Sequence, residues 1–205
     1  MIVLALDTSG DVGSIVVRRE GVVHEELLPE RRRHGTALGP ASGRVLAAAG
    51  ARAADVQAVA VGIGPGSYTG VRVGVTFAKM LAFTLGVPLV GLSGLMALAY
   101  DARERGRRVA VIAPGHRTRV YGAVYRTDCA LPEVERPIDL WDVDALVSGL
   151  RDVAVVGSAD GAPRVDAALV QNKALYKGSF SKITLYSPHH LIKEFIPPQD
   201  NHFFK

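Results

Sequence analysis

Cysteine is nearly absent from this sequence, because Cys129 is the only one in 205 residues. A single cysteine excludes an internal disulfide framework and a four-cysteine zinc site. Long apolar runs are also absent, since Gly, Pro or a charged residue interrupts each candidate before the ~20 residues that span a bilayer. No basic leader precedes the first apolar segment, which starts at Ile2. These absences predict a cytoplasmic protein that does not enter a membrane.

The residue patterns of common catalytic sites are missing as well. The histidines include no pair three or four residues apart, so no single helix can present two imidazoles to a metal ion. There is no G-x-S-x-G motif, and no histidine neighbours Cys129, which we interpret as a structural or incidental residue. Neither a Walker loop nor a G-x-G-x-x-G fingerprint occurs. The sequence therefore predicts no catalytic residue, no metal site and no tightly held cofactor.

The overall composition is that of an ordinary globular protein, with 48% apolar and 21% charged residues. A formal charge of +4 and a pI near 9.4 are compatible with nucleic-acid binding without requiring it. The densest basic run, Arg31-Arg32-Arg33, has no interleaved aromatic residues on which bases could stack. We interpret this run as a solvated loop, and a stand-alone RNA-binding module stays open as an alternative function.

The first half of the chain predicts an α/β fold. Short turns between the first three strand patterns favour an antiparallel meander. Later strands alternate with helical patterns, which implies a mixed sheet with helices packed on it, because parallel strands need helical crossovers. The predicted elements are strands at residues 2–6, 14–18, 22–27, 56–63 and 89–92, and helices at 35–49, 69–85 and 93–105.

A second, shorter series of predicted strands and a helix follows, which suggests that the chain forms two lobes with similar α/β folds. Its predicted elements are strands at residues 109–113, 120–125 and 153–156 and a helix at 143–150. The charged, glycine-containing link at residues 105–108 is the expected boundary. We therefore predict a first lobe over residues 1–106 and a smaller second lobe over residues 107–172.

The segment at residues 173–205 differs from the rest in composition. It holds five lysines and no arginine, whereas the chain before it holds one lysine and every arginine. Lys and Arg are similar surface residues, so folding rarely dictates so abrupt a change from one to the other. We therefore interpret this Lys-rich segment as a tail that is foreign to the rest of the chain, produced by a frameshift or a fusion. A genuine polar tail is the alternative.

The turn between the fourth strand and the second helix is the strongest local signal. Its glycines permit close backbone approaches that a β-carbon prevents. Free amides at the start of a helix, together with the helix dipole, can hold a phosphate. The predicted phosphate-binding residues are Asp7, Thr8, Ser9, Gly64, Gly66, Ser67 and Thr69. A tight connection and ordinary turn chemistry explain the same residues, so nucleotide binding, weak at most, stays open.

The second helix is apolar over an arc too wide for one sheet to cover, and only Arg72, Thr76 and Lys79 form a polar stripe along it. Small residues on this helix would let a partner helix approach closely. The first two helices are therefore predicted to form an interface between subunits. The predicted interface residues are Leu38, Ala41, Val45, Val71, Gly74, Val75, Ala78 and Ala82.

Five segments resemble the TsaB (YeaZ) family, and together the resemblance covers about residues 1–161. Four of them are residues 4–9, 78–82, 93–99 and 120–125. The fifth and most specific is the glycine segment Gly64-Pro65-Gly66-Ser67-Tyr68-Thr69-Gly70-Val71-Arg72-Val73-Gly74.

The resemblance implies a two-lobed α/β fold of the actin, sugar-kinase and Hsp70 (ASKHA, RNase H-like) superfamily, with mixed sheets and flanking helices. It implies a subunit without catalytic chemistry of its own, whose two first-lobe helices pair with TsaD, a metal-containing threonylcarbamoyl transferase. The small ATPase TsaE would dock on that pair, and tRNA would be contacted only through the complex, which makes N6-threonylcarbamoyladenosine (t6A). Without TsaD, the resemblance implies self-association through the same surface as a homodimer.

TsaD resembles this sequence in its glycine segment, but its H-x-x-x-H metal pair is absent here, which favours the subunit role. Two departures weaken the match to TsaB. Pro114-Gly115-His116 stands where the family has an Asp-Ala-Arg-like segment, and the family's closing helix is not recognisable in residues 173–205. An enzyme of the same superfamily, an ATPase or kinase that binds nucleotide between its lobes, is the alternative function.

Overall fold

The structure is a computed structural model with two compact units, the first Met1–Gly94 and the second beginning at Leu95. It describes residues 1–28, 34–115, 119–142, 145–146, 148, 153–158 and 185–186. The helices are α1 (His34–Ala48), α2 (Tyr68–Leu85) and α3 (Gly94–Asp101). The strands are β1 (Ile2–Asp7), β2 (Gly13–Arg19), β3 (Val22–Leu28), β4 (Ala58–Gly62), β5 (Leu89–Leu92), β6 (Arg108–Pro114), β7 (Val120–Arg126), β8 (Glu133–Trp141), β9 (Val153–Ser158) and β10 (Leu185–Tyr186).

The first unit is built on a five-stranded sheet in the order β3-β2-β1-β4-β5. The first three strands pair antiparallel, with Asp7 opposite Ser14 and Gly13 opposite Leu28. β4 lies parallel to β1 and β5 lies parallel to β4, because a helix crosses over before each of them. The meander and the mixed sheet predicted from the sequence are therefore confirmed.

Residues on both faces of β1 and β4 are buried, which explains why these strands read as nearly continuous apolar runs. Residues along each strand alternate between the faces. Leu4 and Leu6 belong to the cluster that includes residues of α1 and α2, whereas Val3 and Ala5 belong to a smaller cluster on the opposite face. The core of this unit therefore lies mainly between the sheet and the first two helices.

The second unit starts with α3, which the sequence placed in the first lobe. The sequence also predicted one helix over residues 93–105, but α3 ends at Asp101 and a short 3-10 turn, Arg103–Arg105, follows. The sheet of this unit has the order β10-β9-β6-β7-β8. β6 and β7 pair antiparallel, whereas β6 and β9 pair parallel.

The strand β8 was not predicted from the sequence. Its nine residues include three acidic side chains, Glu133, Glu135 and Asp139, and also Pro137, which is unusual inside a strand. The structure shows why both are tolerated: β8 lies at an edge of the second sheet, most of its side chains are exposed, and its register with β7 shifts near Val124. Charge, proline and register shifts are common on sheet edges.

Three predictions fall wholly or mostly outside the described residues. The basic run at residues 31–33 lies outside them, as does most of the predicted helix at residues 143–150. Of the tail at residues 173–205, only the short strand β10 is described, and it pairs parallel to β9. Within the described part of the chain, no helix is long and apolar enough to cross a membrane.

Candidate functional site

The glycine turn connects the buried end of β4 to the start of α2. Gly64 adopts a left-handed backbone with φ +85°, which favours glycine. Ser67 caps the helix, because its side-chain oxygen accepts a 3.2 Å hydrogen bond from the Gly70 amide. At the other end, α2 stops at Gly86, which adopts the left-handed conformation of a helix C-cap.

The loop after β1 packs directly against this turn. The Thr8 hydroxyl donates a 2.6 Å hydrogen bond to the carbonyl oxygen of Gly70, and the Ser67 amide donates a 2.7 Å bond to the carbonyl oxygen of Ser9. The Ser9 amide in turn donates a 2.7 Å bond to Asp7 Oδ1. A β-carbon on Gly66 would come within 2.5 Å of the Ser9 carbonyl oxygen, so the close approach requires glycine there.

The structure thus brings together the residues predicted to bind phosphate, all in the first unit. Asp7, Thr8 and Ser9 are buried, and the hydrogen bonds above hold the loop to the turn. Gly66 and Thr69 are exposed, Ser67 is half-buried and Gly64 is buried. The same groups that could face a phosphate therefore already fix the start of α2. Phosphate binding at this turn stays a prediction.

Most of the residues predicted to form the subunit interface are buried inside the first unit. The buried ones are Leu38, Ala41, Val45, Gly74, Ala78 and Ala82, while Val71 and Val75 are half-buried. The close neighbours of Gly74 belong to the first unit itself, since a β-carbon there would clash with Thr8 Oγ1 and lie 3.3 Å from Leu6 Cδ1. Gly74 thus lets α2 lie close to the end of β1, and pairing through the eight predicted residues stays a prediction.

A different set of α2 residues faces outward. We define the α2 stripe as Tyr68, Arg72, Thr76, Lys79, Met80 and Phe83, which are all exposed. Spacings of three and four residues align them along one side of the helix. The side chain of Phe83 is 90% exposed, Tyr68 is 75% exposed and Met80 is 66% exposed. Three large apolar or aromatic side chains therefore flank the polar residues that the sequence had singled out.

A groove of about 410 Å³ runs between α1 and the α2 stripe. On the α1 side it is lined by Gly35 and Leu38. The α2 residues that line it are Thr69, Arg72, Val73, Thr76, Phe77 and Met80. We call this the α1–α2 groove. Large exposed apolar side chains beside a concave surface are a common feature of protein-binding sites.

Tyr68 and Phe83 were missed by the sequence prediction, although a signal for Phe83 was present. Phe83 follows Arg72, Thr76 and Lys79 at helical spacing, so a helical wheel places this aromatic residue on the polar side of α2. An aromatic residue on a polar stripe is a candidate contact residue, because the helix's own sheet cannot cover it.

An ion pair connects the outer side of α1 to β3. Arg44 binds both carboxylate oxygens of Glu26, at 3.0 Å from Nε and 2.5 Å from Nη2. Hydrogen bonding to Glu26 raises the pKa of the Arg44 guanidinium above its usual value. On α2, the Arg72 guanidinium lies 5.4 Å from the centre of the Tyr68 ring, within the range of a cation–π contact.

Among the described residues, no group of three or more His, Cys, Asp or Glu side chains is arranged to hold a metal ion. Cys129 is a free cysteine in the second unit, and its thiol donates a 3.0 Å hydrogen bond to the Leu131 carbonyl oxygen.

Comparison with known proteins gives consistent matches. Residues 15–131 match the family model "TsaD: tRNA N6-adenosine threonylcarbamoyltransferase". The chain is 37% identical over 132 residues to the tRNA threonylcarbamoyladenosine biosynthesis protein TsaB of Escherichia coli strain K12, and 35% identical over 127 residues to TsaB of Bacillus subtilis strain 168. Each match covers 62% of this chain and 56% of the relative, so the chain spans little more than half the length of these relatives.

A solved structure, YeaZ from Pseudomonas aeruginosa, matches with a TM-score of 0.69 and 28% sequence identity. The match covers 80% of this chain and 78% of that chain. The α/β fold class predicted from the sequence, with mixed sheets and flanking helices, is confirmed.

Proposed function

The chain belongs to the TsaB (YeaZ) family of TsaD-like proteins, and from this premise we propose that it is a non-catalytic subunit in the synthesis of t6A in tRNA. In this proposal it pairs with a TsaD-like transferase, and a TsaE-like ATPase acts on the pair. tRNA is contacted through the complex, and the chemistry belongs to the partner.

The observation that carries the proposal is the exposed surface of α1 and α2. Phe83 and Met80 are large apolar side chains on a helix whose opposite side already packs on its own sheet. Exposed aromatic and methionine side chains are enriched at protein interfaces relative to the rest of the surface. A partner that covered the α2 stripe and filled the α1–α2 groove would remove this apolar surface from water.

The non-catalytic role draws support from the sequence and from the site. The curated relatives named above are called biosynthesis proteins, and the H-x-x-x-H pair expected of the transferase does not occur in this sequence. At the glycine turn, the Thr8 hydroxyl and the backbone amides of Ser9 and Ser67 already donate hydrogen bonds within the turn, which leaves fewer groups for a phosphate.

Reconstitution tests this function directly. The chain is combined with the TsaD-like and TsaE-like proteins of its own organism, and t6A formation on tRNA is measured with and without it. We expect a stable complex with the transferase on size-exclusion chromatography, and t6A formation that depends on this chain. Formation of t6A at an undiminished rate without the chain contradicts the proposal.

The same preparation separates the two alternatives. The isolated chain is incubated with ATP and Mg²⁺, and phosphate release is measured. Sustained turnover by the chain alone supports the ATPase or kinase alternative, whereas negligible turnover supports the subunit role. Tight tRNA binding by the isolated chain, with a steep dependence on salt, supports the RNA-binding alternative.

A further inference from the structure

The strand β9 of the second unit has the sequence of a strand from the interior of a sheet. Its residues, Val-Ala-Val-Val-Gly-Ser, include no charged residue and no proline. Val153 and Val155 pack against the apolar cluster on one face of the second sheet, and Val156, which alternates to the other face, is fully buried. A strand that is apolar on both faces normally has a neighbouring strand on each side.

The strand β4 of the first unit shows the same pattern. Its residues, Ala-Val-Ala-Val-Gly, lie between β1 and β5 and run parallel to both. β9 likewise runs parallel to β6. On its other side lies β10, which is also parallel, with Leu185 opposite Gly157 and Tyr186 opposite Ser158. Within the described part of the chain, β10 therefore supplies the second neighbour that an interior strand needs.

The opposite edge of the second sheet carries the features that discourage pairing with a further strand. β8 contains charged residues and Pro137, and its register with β7 shifts. β9 has neither charge nor proline, and its register with β6 is continuous from Val153 to Gly157. Without β10, the N–H and C=O groups along the outer side of β9 would be open to any extended chain.

We propose that the outer edge of β9 is a strand-accepting surface, which the chain fills with its own segment Leu185–Tyr186 and thereby closes to other chains. Such a surface takes an extended segment, and main-chain hydrogen bonds supply most of the affinity. The run Ile183-Thr184-Leu185-Tyr186 suits this role, because Ile, Thr and Tyr are common in strands. Part of the Lys-rich segment thus has a structural task, and the inference does not depend on the proposed function.

The covalent connection gives the internal segment an advantage over any competitor. A segment attached to the same chain acts at a high effective concentration, so a free peptide of the same sequence should compete poorly with it. If the main-chain donors of β10 are removed, the edge should accept that peptide from solution. Without the peptide, two copies should associate through their open edges.

Hydrogen exchange of the wild-type chain tests the pairing itself. We expect slow exchange along Val153–Ser158, and at least one amide of Leu185 and Tyr186 slowed by about tenfold or more relative to an unstructured peptide. Exchange at both Leu185 and Tyr186 as fast as in an unstructured peptide overturns the inference. This measurement needs no variant, so it decides the matter even where a substitution prevents folding.

A pair of full-length variants tests the acceptor. L185P/Y186P removes both main-chain donors of β10, whereas the matched control L185T/Y186T keeps both donors and a high strand propensity. The probe is a fluorescent peptide with the sequence of residues 181–190, and its binding is measured by anisotropy. We expect L185P/Y186P to bind it at least about tenfold more tightly than wild type or the control do. The same peptide with proline at both positions should not bind.

Light scattering measures whether the open edge causes association. We expect L185P/Y186P to form larger species as its concentration rises, and the peptide to suppress them, while the control behaves as wild type. Equal peptide binding by wild type, control and L185P/Y186P refutes the strand-accepting edge. The absence of binding to L185P/Y186P refutes it as well when far-UV circular dichroism shows that the variant is folded. Association of L185P/Y186P that the peptide does not suppress refutes the claim that β10 closes this edge.

Discussion

The Thr8 hydroxyl donates a 2.6 Å hydrogen bond to the carbonyl oxygen of Gly70, 62 residues further along the chain. This bond joins the loop after β1 to the first turn of α2. Because Thr8 is buried, the bond forms away from competing water. It fixes where α2 begins relative to the sheet, and thus which side of α2 is left exposed as the α2 stripe.

Replacing Thr8 with Val tests this bond. The side chain keeps its shape, but the Gly70 carbonyl oxygen loses its hydroxyl donor in a buried place. We expect the free energy of unfolding to fall by about 1–3 kcal/mol, measured by urea denaturation. Thr8→Ser keeps the hydroxyl and should recover much of the loss. Equal stability of Thr8→Val and wild type would show that the bond does not hold α2.

Gly74 and Gly43 form a matched pair of helical glycines. A β-carbon on Gly74 would clash with Thr8 Oγ1, whereas a β-carbon on Gly43 of α1 would have no neighbour within 4 Å. Gly74→Ala should therefore destabilise the protein by about 1–3 kcal/mol, because α2 must move away from β1. Gly43→Ala should stabilise it by about 0.5–1 kcal/mol through higher helix propensity. Thermal or urea unfolding of the two variants and of wild type measures whether each substitution lowers or raises the free energy of unfolding.

Stabilisation by Gly74→Ala would contradict the close approach of α2 to β1. It would also reopen the sequence-based interpretation, in which the small residues of α2 make room for a partner helix. A separate partner-binding assay on Gly43→Ala checks that the substitution changes stability alone.

The sequence predicted most of the first unit because its local signals agree with the final packing. The turns between the first strands, the continuous apolar run of β4 and the glycine after it each have one structural interpretation. β8 could not be predicted in this way, since its charges and Pro137 suit an exposed edge, and a sequence pattern does not show which strand lies at an edge.

The candidate surface was predicted in part. The apolar arc of α2 predicted more apolar surface than its sheet covers, and in the structure Met80 and Phe83 are exposed. It did not show which residues face the sheet, because Gly74 and Ala78 fit either a partner helix or a close sheet contact. Only the positions of Thr8 and Leu6 next to Gly74 distinguish a sheet contact from a partner contact. Thr8 and Leu6 are distant from Gly74 in sequence, so the sequence pattern of α2 does not show their contacts with it.

The carboxylate of Asp55 makes a local, pH-dependent contribution to stability. A hydrogen bond from the Arg52 backbone amide, at 2.8 Å, and weaker ones from the Arg52 side chain lower the pKa of Asp55 below its usual 3.8. A lowered pKa means that the contribution is present above pH 3.8 and is lost as the pH falls through the lowered value. The effect on stability should be small, because the group is exposed.

An NMR titration of the Asp55 carboxyl group measures this shift. We expect a pKa below the usual value in wild type, and a value still lowered in Arg52→Ala, because the backbone amide remains. Stability differences between wild type and Asp55→Asn should shrink as the pH falls below the lowered pKa. An Asp55 pKa at or above its usual value contradicts the assignment.

The exposed Phe83 offers a cleaner test of the interface than the buried Ala78. Ala78→Glu would place a carboxylate in the core and should destabilise the fold, whether or not α2 contacts a partner. Phe83→Glu changes a side chain that is 90% exposed, so far-UV circular dichroism and the unfolding midpoint should match those of wild type. Val134→Glu, at an exposed position on β8, is the matched control.

The most direct measurement is the affinity of these folded variants for the TsaD-like transferase by titration calorimetry. We expect Phe83→Glu to weaken binding by at least about tenfold, because it removes an aromatic contact and places a carboxylate in an apolar contact region. Val134→Glu should bind as wild type does. Wild-type affinity in Phe83→Glu, with the fold intact, would contradict the claim that the outward side of α2 is the partner-binding surface.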